Sequence, residues 1–249
     1  MSQAAGKTGP GPTATVAIEQ HFPRQQRIIE DHLAHQMLPA GMRAFVHLVR
    51  PRWIRDWMIR GAERDLPGIW SGVLCRKRFI DETLEGAAGD IYAVVNLGAG
   101  LDTRLYRLSG VSGKPAFEVD QPQSIRFKQS RISRILGTIP SNVRLVPVNF
   151  EREELAAALA QSGYAAAAAP TFFIWEAVTQ YLTAEAVEDT CRFLAGAARG
   201  SRLAFTYIRQ DFLTGRAAYG WEKGYQMYVA RQQLWRFGLD PSQVAAFMR

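Results

Sequence analysis

The feature that most constrains this chain is a short apolar run, Ile91-Tyr92-Ala93-Val94-Val95-Asn96-Leu97, closed by Gly98-Ala99-Gly100. A run this short and this apolar suits a strand buried on both faces of a parallel sheet. Glycines directly after it let the backbone approach a ligand where a helix N-terminus follows. Four more strand candidates lie at residues 116–120, 143–148, 171–175 and 202–208. Helical stretches alternate with them at 102–109, 123–136, 151–161 and 184–198. The last has Thr183 as a candidate N-cap and Glu185 in its first turn. Alternation through five strands predicts a doubly wound α/β sheet.

Upstream, apolar residues recur at helical spacing from residue 14 to about residue 86, punctuated by Pro39, Pro51 and Pro67, and no strand is expected. Residues 1–13 are rich in Gly, Pro, Ser and Thr and read as a flexible arm. The chain therefore divides into an arm with a helical cap (1–88) and an α/β domain with C-terminal helices (89–249). The five alanines at 165–169 read as a loop or helix end. Beyond residue 208 the pattern turns helical and aromatic, with a helix expected over 224–237. Asp240-Pro241 reads as the N-cap and first position of another helix.

Composition excludes several classes. The 249 residues, 47% hydrophobic and 21% charged, have the length and balance of a soluble protein with its own core. No run of about 18 apolar residues is present, which excludes an ordinary transmembrane helix. No secretory signal is visible, and Cys75 and Cys191 are far apart, so a reduced, cytoplasmic chain is expected. The net charge of +7 raises nucleic-acid binding. Lysine, however, occurs only at 7, 77, 114, 128 and 223, and the arginines are dispersed, so the basic stretch at 126–134 reads as a solvated helix face. The histidines are His21, His32, His35 and His47, all in the first fifth of the chain. Metal spacing and the G-x-S-x-G elbow are both missing, and no metal is expected.

Asp120 lies 20 residues beyond Gly100 at the end of the second strand candidate. That spacing suits a carboxylate accepting from ribose hydroxyls, and Glu118 shares its strand face. A dinucleotide fingerprint needs a third glycine where this chain has Thr103. An adenosyl ligand without a pyrophosphate is favoured instead.

Four segments carry a resemblance. They are Arg76-Lys77-Arg78-Phe79-Ile80-Asp81, Val95-Asn96-Leu97-Gly98-Ala99-Gly100-Leu101-Asp102-Thr103-Arg104, Phe117-Glu118-Val119-Asp120-Gln121-Pro122 and Phe173-Ile174-Trp175-Glu176-Ala177-Val178-Thr179-Gln180-Tyr181-Leu182-Thr183. In this order and spacing the chain resembles the leucine carboxyl methyltransferase family, and most closely its bacterial branch of methyltransferases dependent on S-adenosylmethionine (SAM). The resemblance implies a Rossmann-like class I methyltransferase fold and SAM as cofactor. It implies that Arg76 pairs with the SAM carboxylate, a contact suited to a guanidinium fork. Gly98 and Gly100 would line the methionine part, Asp120 would hold the ribose, and Glu176 would face the sulfonium. Asn149 would contact the adenine, with Phe150 beside it in the cofactor set. Asp102 and Arg104 read as a structural ion pair outside the site.

Two positions depart from the family pattern. Asn149 stands where Asp is common, and its carbonyl can still accept from an adenine amino group. Ala177 replaces a glycine and adds a methyl near the site. Methyl transfer from a sulfonium needs alignment and a dry pocket, and a carboxylate acceptor needs no general base. Glu176 and Tyr181 are the candidate catalytic residues, with His21 a third possibility from the helical layer. O-methylation of a small-molecule carboxylate or hydroxyl is therefore expected. A catalytically silent SAM-binding protein or partner subunit is the alternative.

The sheet is expected to end at five strands, without the two that usually follow in methyltransferases of this fold. An uncovered final edge would invite pairing with another chain. The expected consequence is a homodimer, or else a marginally stable, inactive product of a shortened reading frame.

Overall fold

A computed structural model describes residues 9–150 and 153–248. Five parallel strands form the central sheet: β1 (Ala93–Leu97), β2 (Ala116–Asp120), β3 (Val143–Pro147), β4 (Thr171–Trp175) and β5 (Arg202–Phe205). Their order is β3-β2-β1-β4-β5. The chain runs outward from β1 to β3, then crosses back to place β4 on the other side of β1. The register sets Asn96 of β1 level with Glu118 of β2 and Ile174 of β4. The direction of winding reverses between β1 and β4, the position where open α/β sheets bind ligands beyond their carboxyl ends.

Every residue of β1, β2 and β4 is buried. Alternate side chains serve two layers, because successive residues of a strand point to opposite faces. Ala93, Val95, Leu97, Phe117, Val119, Phe173 and Trp175 pack in one core, into which Leu155, Leu159, Val187, Phe237 and Leu239 insert. Val94, Ala116, Phe172 and Ile174 pack in the other, against Ile80, Leu84, Leu105 and Leu108. Fully burying one such Val, Leu or Phe side chain stabilises the fold by about 1.5–3 kcal/mol.

Helices α1 (Pro10–Glu19), α2 (Ala34–Met37), α3 (Ala40–Leu48), α4 (Arg52–Asp65) and α5 (Ile69–Ala87) precede the sheet. They form the expected helical layer, with a core of its own around Val16, Ile18, Leu38, Val46 and Leu74. One correction falls here. The arm expected over 1–13 is helical from Pro10, because Pro10 and Pro12 occupy the first turn, where a missing N–H costs nothing. Thr13 and Ala14 are already buried. Residues 1–8 lie outside the described residues.

Between the strands run α6 (Arg104–Arg107), α7 (Pro122–Leu136), α8 (Leu155–Gln161) and α9 (Ala184–Ala195). The Thr183 hydroxyl accepts the Ala186 N–H at 3.2 Å, the expected cap of α9. Helix α6 is shorter than the span 102–109, since Asp102 folds back to accept the Arg104 N–H and a 3-10 turn follows at Ser109–Val111. Helix α8 starts later than residue 151, and residues 151–152 are not described.

The fifth strand candidate, 202–208, is broken. It stops at Phe205 because the Thr206 side chain turns to accept the Ala177 N–H at 2.7 Å. The chain re-enters extended structure at β6 (Ile208–Arg209), which pairs in parallel with β7 (Gly238–Leu239) as a separate two-stranded ladder. The helix expected over 224–237 holds only through a π-helical stretch, Tyr225–Arg231. Positive φ at Gln233 and the Arg236 N–H bond to the Gln180 carbonyl, 2.7 Å, lead the chain out of it. Asp240 caps the last short helical segment by accepting the Ser242 N–H at 2.9 Å. Among the described residues no helix is long and apolar enough to cross a membrane.

Candidate functional site

A cavity of about 560 Å³ opens at the carboxyl ends of β1, β2 and β4. That volume is in the range of small-molecule and cofactor sites, roughly 300–1,000 Å³. Asn96, Gly98, Ala99 and Gly100 line it from β1, Asp120 and Gln121 from β2, and Glu176 to Val178 from the segment after β4. Arg76 and Lys77 enter from α5, and Pro10, Pro12 and Thr13 of α1 form part of the wall. The structure thus brings together Arg76, Gly98, Gly100, Asp120, Glu176 and Tyr181, residues as far apart in sequence as 76 and 181.

Asn149 and Phe150 are not among the residues that line this cavity. Phe150 is turned into the core beside Val148 and Leu155. The Asn149 N–H is held by Glu153 Oε2 at 2.8 Å, which fixes this backbone in the turn before α8.

Gly98 has φ +74, and a Cβ there would lie 2.2 Å from Val178 Cγ2. Only glycine lets the β1 and β4 ends approach this closely. The Asp120 carboxylate receives the Gly100 N–H on Oδ2 at 2.7 Å and the Gln121 N–H on Oδ1 at 2.6 Å. Burial pushes its carboxyl above the usual range, and these two donors oppose the shift.

Glu176, directly after β4, is surrounded by cations. Arg76 Nε lies 2.8 Å from Oε1, while Arg104 Nη1 and Lys77 Nζ lie 2.8 and 3.5 Å from Oε2. Burial disfavours its charge, but Lys77, Arg104 and Arg76 outweigh this and hold the carboxyl well below its usual range. A carboxylate held ionised this firmly is a poor proton acceptor. Arg104 continues inward, donating to Asp102 and to Asp81. Burial raises Asp102, yet the charge of Arg104 brings it down to about 2. The Asp102–Arg104 pair is present as expected from the sequence, but it also braces Glu176, and Asp102 lines the cavity.

His21 is remote from this chemistry, with Nε2 3.1 Å from the Val46 carbonyl, and it does not line the cavity. Two contributors were missed in sequence. Lys77 adjoins Arg76, and its approach to Glu176 depends on the packing of α5. Asn96 carried a visible signal, an amide inside an apolar strand. Its Nδ2 is buried without a hydrogen-bond partner.

These groups match the chemistry of SAM. Arg76 and Lys77 suit a carboxylate, Glu176 and Asp102 suit cationic groups, and Asp120 suits a diol. The buried Asn96 amide at the cavity is a donor in want of an acceptor. The residues present fit the cofactor.

Comparison with known proteins agrees. The family model for leucine carboxyl methyltransferase matches residues 11–195. A protein of Frankia alni named as an S-adenosyl-L-methionine-dependent methyltransferase is 31% identical over 237 residues, 89% of this chain and 80% of that protein. One of the same name from Mycobacterium tuberculosis is 32% identical over 210 residues, 81% of this chain and 67% of that protein. A crystallised methyltransferase of Thermobifida fusca superposes with a TM-score of 0.55 at 14% identity, over 78% of this chain and 72% of that one. At that identity the likeness concerns the fold.

Fold and relatives define a Rossmann-like class I methyltransferase that uses SAM. Within that class, the chain belongs to the leucine carboxyl methyltransferase family.

Proposed function

We propose that this enzyme methylates an oxygen of a small molecule, a carboxylate ahead of a hydroxyl. One observation carries the preference: among the described residues, the cavity presents no group poised to take a proton. No histidine lines it. Glu176 and Asp102 are held ionised by cations; burial raises the Asp120 carboxyl, but two N–H donors occupy it and its role is with the ribose. A carboxylate acceptor has no proton to lose, whereas a hydroxyl benefits from a base.

The lining of the cavity supports the following cofactor roles. Arg76, with Lys77 beside it, takes the carboxylate end, Gly98 and Gly100 lie along the methionine part, and Asp120 holds the ribose. Glu176 faces the sulfonium side, its charge kept available by the cations around it. Bound there, SAM supplies a methyl group on a sulfonium that leaves as a neutral thioether. The residues of this chain orient the acceptor and exclude water. The opening turn of α1 and Pro39 supply the cap side of that enclosure.

Labelled methyl transfer to matched pairs of carboxylic acids and alcohols tests the proposal. The expected product is an ester, which mild base hydrolyses with release of methanol. A label that survives base treatment as an ether overturns the carboxylate assignment. Tight SAM binding with no transfer to any acceptor in the screen favours the silent-binding alternative.

A further inference from the structure

We propose that Lys128 is a positioning residue for the cofactor loop: with Asp120 it grips the single peptide unit between Ala99 and Gly100. The inference rests on the assignment of this cavity to SAM. Lys128 lies on α7 and is 1% exposed. Its Nζ donates to the Ala99 carbonyl at 3.3 Å and to Glu118 Oε1 at 2.5 Å. Tyr106 donates to the other Glu118 oxygen, Oε2, at 2.5 Å, so the acid is satisfied on both sides. The Gly100 N–H donates to Asp120 Oδ2 at 2.7 Å.

The Ala99 carbonyl and the Gly100 N–H belong to one peptide plane. In a trans peptide they point in opposite directions. The lysine thus holds the oxygen of that plane and the aspartate holds its nitrogen. The clamp matters because glycine resists peptide rotation weakly. Gly100, on the nitrogen side of that unit, has positive φ, as does Gly98 one residue before Ala99. A flip would remove a donor from Asp120 and turn a carbonyl toward it. The lysine charge explains why a cation is buried under the loop: a carbonyl is a good acceptor for it, and Glu118 offsets its desolvation.

The test uses the whole chain. Replacing Lys128 alone strands a buried Glu118, so the informative variant is the double Lys128→Met, Glu118→Gln, which removes both charges at similar volume. Melting and circular dichroism report whether the double variant folds. Calorimetry with SAM should then show a Kd raised about tenfold. Amide exchange without ligand should show Gly100 exchanging faster while Val95 and Val119 stay protected. A folded double variant with Gly100 protection unchanged overturns the clamp. If the variant does not fold, exchange in the parent decides: rapid Gly100 exchange there overturns it equally, and slow exchange supports it. Failure of the parent to bind SAM would instead refute the cofactor assignment, since the exchange measurement needs no ligand.

Discussion

Arg104 Nη1 lies 2.8 Å from Glu176 Oε2, with the arginine 1% exposed and the glutamate 8%. Arg104 opens α6 after β1 and Glu176 directly follows β4, on the two sides of the point where the sheet reverses its winding. Their pairing ties the halves of the cofactor cavity together. Arg104 also holds Asp81 of α5 at 2.6 Å, and Arg107 reaches Asp31 of the helical layer at 3.5 Å. The charges that shape the cavity are thus continuous with those that seat the cap.

Replacing Arg104 by Met should be costly. It leaves Glu176, Asp102 and Asp81 each short of a cation in a buried setting. Removing one partner of a buried pair costs about 3–5 kcal/mol. Urea unfolding of Arg104→Met should show a loss of this size. A loss below about 1 kcal/mol would show that water or neighbouring cations replace the arginine.

Asp120→Ala should weaken SAM binding by about 1–3 kcal/mol, the cost of lost hydrogen bonds to a charged acceptor. Calorimetry measures it. Binding as tight as the parent's would remove Asp120 from the ribose role.

The two loop glycines should respond differently to alanine. At Gly98 a Cβ meets Val178 at 2.2 Å in a left-handed backbone, φ +74. The cost should be about 2–5 kcal/mol, from overpacking and conformation together. At Gly100 the nearest atom is 3.9 Å away, so only the conformation is paid for, about 1–2 kcal/mol. Equal losses in thermal unfolding would contradict the close approach at Gly98.

Ala177 has φ +57, beside the cavity and held there by Thr206. The family's glycine is free of that strain. Ala177→Gly should stabilise the protein by roughly 0.5–1 kcal/mol, the left-handed relief reduced by the entropy of glycine. A destabilised variant would show that the methyl contributes packing that outweighs the strain.

Acid should weaken the fold through Asp102. Its carboxyl is depressed from the usual 3.8 to about 2, so its contribution is complete above about pH 4 and is lost as the pH falls through about 2. Glu176, also depressed, has the same sign, while the raised Glu118 and Asp120 act oppositely. The stability difference between the parent and Asp102→Asn should be about 2 kcal/mol near neutrality and shrink below about pH 4. A pH-independent difference would mean that the charge of Asp102 is not what Arg104 uses.

Local patterns determined the architecture. Five strands in alternation with helices are legible because burial on both faces of a parallel sheet demands short, mostly apolar runs, and 91–97 and 171–175 are such runs. The Gly98, Gly100 and Asp120 set was legible too, because it lies at strand ends whose spacing the fold dictates. Tertiary structure alone decided the charge pairing. Nothing local tells Glu176 that Arg76, Lys77 and Arg104 will surround it, since the pairs span 100, 99 and 72 positions and form only when α5 docks on the sheet and β4 is laid beside β1. The same holds for Pro10 to Thr13, polar and proline-rich by composition yet helical where the cap core receives Val16 and Ile18. Periodicity records which face of an element is buried. Which distant charges share that burial depends on long-range packing, because a buried ion is tolerable only beside its counter-ion.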